Sequence, residues 1–342
     1  MNTNDRLRLI TRNTADIVTP EELKKLLDTK KSPTVYLGTA ITGQPHIGYF
    51  VWAQKLADFL KAGFKVKILL ADLHGALDNC PWDVLEKRYK YYKTVIPLLF
   101  ESLGVNTSQL EFVKGSDFQL KKEYVFDVLK LSTHTSLHDA KKAASEVVKF
   151  GDNPKLSGVL YPLMQALDEQ YLDVDIQYGG IDQRKILMYA REYLPKLGYR
   201  QRIEIMTPLV PGLLGKKMSS SDGKSKIDLL DDEKTVIDKV KGAYCEPGKV
   251  EDNGVLAFLR NVIMTVKMDN KHSFIIERPA KYGGNLTYTN YDQIEKDYLE
   301  NKFHPLDLKT AVAREINELL KPFRQQKYAL KIAKEAYSDK NN

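Results

Sequence analysis

The sequence predicts an α/β fold in which a doubly wound parallel sheet is followed by an α-helical second domain, and three observations carry that reading. Strand-like runs at 34–38 and 66–71 bracket a helix-like stretch at 46–62. The alternation recurs as far as residue 206, with further strand candidates at 110–113, 174–178 and 203–206. From Asp231 onward the pattern turns mostly helical and charged.

Each element has a local reason. Residues 34–38 are β-branched and aromatic, while 66–71 is continuously apolar, as in a strand covered on both faces. In 46–62, Ile47, Phe50, Val51 and Leu60 fall mostly at helical spacing, and Gly63 suits the position just past a helix end. Strand, loop, helix, strand in that order is a βαβ unit, which makes the strands parallel. The segment 118–151, rich in helix formers, is expected to insert between the halves of the sheet and to offer a subunit contact. Helices are expected at 233–242, 254–266, 291–301 and 308–338, so the domains are drawn at 1–227 and 228–342.

Composition narrows the function classes. With 43% apolar residues in 342, the chain can bury a core of the size a two-domain enzyme needs. No apolar run is long enough to span a bilayer and residues 1–12 lack a signal core, so a cytosolic protein with no membrane partner is expected. Cys80 and Cys245 stand in unrelated surroundings, which supports neither a disulfide framework nor a zinc site. A net charge of +7 fits a polyanionic partner, and equally fits lysines on solvated helices.

Three polar clusters stand out. Thr42, Gly43, Gln44, Pro45, His46 and Gly48 occupy the turn after the first strand, at the sheet edge where such folds bind nucleotides. Gly43 and Gly48 open the backbone to a ligand, N–H groups at the helix start favour anions, and His46 can donate to phosphate. A plain glycine turn with a capping residue is the other reading. Lys217, Met218 and three serines, Ser219 to Ser221, follow the glycine-flanked stretch 211–215, so Lys217 is positioned to close onto pyrophosphate, or simply lies in a solvated basic loop. Tyr161, Gln165 and Asp168 stand at i, i+4 and i+7 among leucines, sharing one face of an apolar helix, where they meet a small polar ligand, an internal network or solvent. Beyond them, Gly179-Gly180-Ile181-Asp182-Gln183 is another strand-to-helix glycine turn, in which Asp182 holds a ribose hydroxyl or caps the helix.

Pro45-His46-Ile47-Gly48 and Lys217-Met218-Ser219-Ser220-Ser221 resemble the HIGH and KMSKS motifs of class I aminoacyl-tRNA synthetases, in the correct order. Tyr36-Leu37-Gly38, Leu70-Ala71-Asp72-Leu73-His74, the stretch from Tyr161 to Asp168 and that from Gly179 to Lys185 narrow the likeness. Over nearly its whole length the chain is similar to tyrosyl-tRNA synthetases of the archaeal and eukaryotic cytoplasmic type. Tyr49 replaces the second histidine of the first motif and Ser220 the second lysine of the second, which leaves Lys217 as the matching lysine, with Lys216, Lys224 and Lys226 as candidate assistants.

The resemblance implies a Rossmann-like catalytic domain and an α-helical anticodon-binding domain in a cytoplasmic homodimer. It implies L-tyrosine, ATP and tRNA(Tyr) as substrates, magnesium carried with ATP, and no protein-bound metal or prosthetic group. Tyr36 and Asp168 would hold the phenolic hydroxyl, while Tyr161, Gln165 and Gln183 would hold the amino group and orient the carboxylate. His46 and Lys217 would be the catalytic pair, with Gly43, Gly48, Asp182, Ser219 and Ser220 completing the ATP site. Segments 278–284 and 303–307 resemble the anticodon-reading elements, with Tyr282 stacking on a base and His304 and Asp307 reading its edge.

Overall fold

A computed structural model describes residues 1–213 and 226–337 of the chain. Its central sheet has six strands: β1 (Asp16–Val18), β2 (Thr34–Ala40), β3 (Lys65–Ala71), β4 (Leu110–Lys114), β5 (Ile176–Gly180) and β6 (Ile203–Thr207), in the order β1-β6-β5-β2-β3-β4. β1 runs antiparallel to β6, and every other pairing is parallel. The parallel order β6-β5-β2-β3-β4 reverses direction beside β2, and the crevice between β2 and β5 is therefore the topological switch point. The expected Rossmann-like sheet is what forms. β1 escaped the sequence reading because a three-residue, half-buried edge strand has no period to detect.

Helices cover both faces. Val66, Ile68, Leu69 and Leu70 of β3 are all buried, each contributing about 1.5–3 kcal/mol by leaving water. The helix after β2 begins at Tyr49, later than expected, because the Ile47 N–H bonds to the Ile227 carbonyl (2.9 Å) and leaves 46–48 as a turn. Between β4 and β5, residues 118–151 are chiefly the helices Lys122–His134 and Leu137–Ala144.

Past residue 228 the helices Glu233–Gly242, Tyr291–Leu299 and Pro305–Leu319 match expectation within a few residues. The long helix expected at 308–338 instead breaks into Pro305–Leu319, Lys321–Gln325 and Lys327–Ala336: Pro322 lacks the N–H that a continuous helix requires at the first break, and at the second Gln326 leaves helical geometry with ψ 81°. A small hairpin of β7 (Phe274–Ile276) and β8 (Leu286–Tyr288) also lies in this part, which the sequence reading took as mostly helical. The apolar core does not stop at 228: Phe323 meets Phe50 edge-on at 6.1 Å, and Arg12 bridges Asp58 and Asp269. No helix among the described residues is long and apolar enough to cross a membrane.

Candidate active site

At the switch point lies a cavity of about 1000 Å³, lined by Tyr36, His46, Gly48, Tyr161, Gln165, Asp168, Asp182 and Gln183. Residues singled out from segments as distant as 36 and 183 thus converge on one space. Gly43 is not part of the lining; its carbonyl accepts from the hydroxyls of Tyr92 (2.6 Å) and Tyr337 (3.0 Å), which tie the turn to the end of the chain. Lys217, Ser219 and Ser220 lie outside the described residues.

The closed end is built by Asp168 and Tyr36. Asp168 rides on the helix Leu156–Tyr171, whose Leu163, Ala166 and Leu167 are buried and hold the Tyr161-Gln165-Asp168 face toward the cavity. Its Oδ1 accepts from Gln119 Nε2 (2.7 Å) and the Tyr124 hydroxyl (2.8 Å), and its Oδ2 lies 3.8 Å from His74 Nε2. Burial pushes the carboxyl up to about 8, against the downward pull of those two hydrogen bonds. The Tyr36 hydroxyl accepts from Gln177 Nε2 (2.8 Å) and donates to the Gln165 carbonyl (3.4 Å). A carboxyl and a phenol at the floor of an apolar slot suit a ligand hydroxyl that both donates and accepts.

Around them, His74 packs edge-on against Tyr161 at 4.7 Å, and burial pushes its imidazole down to about 4, so it is neutral. Gln165 Nε2 donates to Gln183 Oε1 (3.1 Å), linking the helix to the turn after β5. In that turn a Cβ at Gly180 would lie 2.6 Å from Asp182 Oδ1, so a side chain there would turn the carboxylate away from the place it holds against the backbone. Gln119, Tyr124, Gln177 and His74 were missed as site residues from sequence. Gln177 carried a signal, a polar side chain within an otherwise apolar buried strand, whereas Gln119 and Tyr124 carried none.

The open end centres on His46. Its Nδ1 accepts the Gly48 N–H (3.1 Å), which leaves the ring proton on Nε2. Burial, helped by the charge of Lys226, pushes the imidazole down to about 4, so it is a neutral donor. Tyr49 meets its ring edge-on at 5.4 Å and is itself tied to Tyr92 (3.1 Å between hydroxyls). Residues 227–229 return to this turn through a His46–Asp228 bridge and the Ile47–Ile227 bond, with Lys226 paired to Asp228 at 2.9 Å. The chain that leaves the Lys217 segment is therefore anchored at the histidine.

A second polar surface lies past β7. Arg278 donates to the carbonyls of Gly284 (3.0 Å) and Lys302 (2.9 Å), which draws the Tyr282 loop toward residues 303–307. Gly283 and Gly284 turn that loop at φ +94° and +74°, where side chains are strained. Tyr282 is exposed beneath the Lys281 ammonium, 4.9 Å from its ring centre. His304 caps the helix Pro305–Leu319, accepting the Leu306 N–H on Nδ1 (3.1 Å), and Asp307 sits in the first turn of that helix.

A Rossmann-order sheet with a histidine turn at the switch point and an apolar slot floored by a carboxyl and a phenol has the architecture of a class I synthetase. A family model described as tRNA synthetases class I (W and Y) matches residues 28–321. Cytoplasmic tyrosine–tRNA ligase of Xenopus laevis is 51% identical over 98% of this chain, which spans 63% of that relative's length. The cytoplasmic tyrosine–tRNA ligase of Saccharomyces cerevisiae is 49% identical, covering 94% of this chain and 84% of its own. A tyrosyl-tRNA synthetase from Archaeoglobus fulgidus, crystallised with L-tyrosine, superimposes with a TM-score of 0.88 at 40% identity over 95% of this chain and 99% of that one. The chain belongs to the tyrosyl-tRNA synthetase family.

Proposed function

We propose that this chain is a tyrosine–tRNA ligase: it activates L-tyrosine with ATP to tyrosyl-adenylate and pyrophosphate, then transfers tyrosine to the 3′-terminal adenosine of tRNA(Tyr). The observation that carries the reading is the closed end of the cavity, where buried Asp168 and Tyr36 line the space that a ligand hydroxyl would take. In this reading they hold the phenol. Tyr161, Gln165 and Gln183 take the ammonium group and leave the carboxylate facing the α-phosphate. His46 and Gly48 take ATP phosphates, Asp182 the ribose, and Lys217, Ser219 and Ser220 the pyrophosphate side, with Mg2+ arriving as part of the nucleotide. Gly43 serves that site through the shape of its turn. Catalysis is then positioning and charge stabilisation, with no side chain required as nucleophile. ATP–pyrophosphate exchange tests it: exchange should depend on tyrosine, and a wild-type chain that responds to tryptophan instead, or to neither, rejects the reading.

Residues 228–342 act as the anticodon-binding domain of this scheme, with 1–227 as the catalytic one. Exposed Tyr282 suits stacking on an unpaired base, and His304 and Asp307 reading its edge. Replacing His304 and Asp307 together with alanine should raise KM for tRNA by about tenfold or more, since one misread base costs about 1–3 kcal/mol. Tyrosine-dependent exchange by the same variant should be unchanged.

A homodimer fits the insertion. Leu120, Val125, Phe126, Leu129 and Leu137 there are 44–69% exposed, a run of apolar side chains that a second copy would bury. Phe126→Asp should shift the sedimentation coefficient from dimer to monomer; a dimer that persists would place the interface elsewhere. The setting is cytoplasmic translation, in keeping with the relatives' names.

A further inference from the structure

Tyr36, Gln177 and Glu204 are register partners on β2, β5 and β6, so the three side chains form a row on one face of the sheet. They are 1%, 2% and 0% exposed, and Glu169, at 0%, belongs to the helix Leu156–Tyr171 that also carries Asp168. Gln177 Nε2 is spent on the Tyr36 hydroxyl (2.8 Å). Gln177 Oε1 and all four carboxyl oxygens of Glu169 and Glu204 have no hydrogen-bond partner among the described residues.

Nearby cations do not supply the missing donors. Arg202 gives its N–H groups to Gln170 Oε1 and to the carbonyls of Arg200 and Val174. Arg191 bonds the Arg202 carbonyl and Glu22, and Arg200 bonds Val174 and Asp175. Asp168 and Tyr161 complete the titratable neighbours on the covering helix. Acceptors cannot satisfy one another, and a proton held on a carboxyl supplies the donor that this cluster lacks.

We infer that Glu204, beside Glu169, is a positioning residue that retains a proton and donates it to Gln177 Oε1, turning Gln177 Nε2 toward Tyr36 and thereby aiming the Tyr36 proton at the substrate's hydroxyl. The last link rests on the ligase reading above. Burial first, and for Glu204 the negative charge of Glu169 second, push both carboxyls above the ordinary range, while the arginines pull the other way. A flipped Gln177 amide would accept the Tyr36 proton and leave the substrate phenol facing two acceptors. With the amide held, the Tyr36 proton, which otherwise reaches the Gln165 carbonyl over a long 3.4 Å, turns to the phenol oxygen and the phenol donates to Asp168.

Two measurements on the full chain decide it. By calorimetry, Glu204→Leu should weaken tyrosine binding by about tenfold, the scale of one buried hydrogen bond, and leave phenylalanine binding unchanged. Glu204→Gln supplies a permanent N–H donor and should stay within about threefold of wild type. In infrared difference spectra at neutral pH, wild type should show a carboxylic-acid C=O band that weakens in Glu204→Gln. Equal loss of tyrosine and phenylalanine binding, a Glu204→Gln variant as weak as Glu204→Leu, or an acid band that Glu204→Gln leaves undiminished would overturn the inference. Should Glu204→Leu fail to fold, the infrared comparison decides alone. A wild type that binds no tyrosine overturns the ligase reading, and the loss of band intensity in Glu204→Gln still judges the proton.

Discussion

Replacing Asp168 with alanine is expected to lower kcat/KM for tyrosine by at least ~10²-fold, mainly through KM, and to relax the rejection of phenylalanine. A buried hydrogen bond to a charged group is worth about 1.5–3 kcal/mol, the main part of that loss. The remainder comes from the floor itself, where Gln119 loses its carboxylate acceptor while Tyr124 keeps a bond to the Met164 carbonyl (2.8 Å). Phenylalanine is rejected in the wild type because it brings no hydroxyl to the Tyr36 O–H and Asp168 Oδ2, so each buried group forgoes a bond that tyrosine makes, a penalty of about 1–3 kcal/mol for each. Exchange assays with both amino acids check this, and an Asp168→Ala protein that still discriminates normally would remove the residue from its role. The raised carboxyl adds a pH signature. Below about 8 the free site is largely protonated, so a phenol that donates to Asp168 must drive a proton off. Tyrosine affinity should therefore rise as pH goes from 6 toward 8, with proton release visible as a buffer-dependent binding enthalpy.

His46→Ala should reduce kcat for adenylate formation by about 10²–10³-fold with little change in the KM for tyrosine, the pattern of a donor felt mainly in the transition state. The imidazole sits at the open end of the cavity, away from the floor that holds the phenol, which is why the two constants separate. Its pH behaviour is distinctive. With the ring pushed down to about 4, kcat at saturating tyrosine should stay level from pH 8 to 6, where an ordinary histidine near 6.5 would show a break. A kcat that falls by half near pH 6.5 would mean the ring is not the neutral donor that the Gly48 N–H bond makes it.

Much of the site could be read before the fold was known because its signals are short-range. Tyr161, Gln165 and Asp168 share a face by helical spacing alone, and Gly179-Gly180 and Gly48 mark turns at the sheet edge. The residues that were missed act over long separations. Gln119 and Tyr124 reach Asp168 across 49 and 44 positions, and Gln177 reaches Tyr36 across 141. Gln177 shows only as a polar residue in an apolar strand, and nothing near Gln119 or Tyr124 announces the contact. The hairpin of β7 and β8 failed for a related reason: its strands of three residues are joined by a nine-residue loop, 277–285, which lacks the two-residue turn that makes hairpins legible.

Sequence alone therefore determined the types of element, their βαβ order, the polar groups available to the site and the family likeness, since periodicity and turn chemistry are set by neighbouring residues. Only the tertiary structure decided the chemical state of those groups. It assigned the His46 proton to Nε2, raised the Asp168 carboxyl, pointed Gln177 at Tyr36 and carried the core from Phe323 back to Phe50. Desolvation and hydrogen-bond direction depend on which atoms from remote segments close around a group, and that is settled only when the chain has folded.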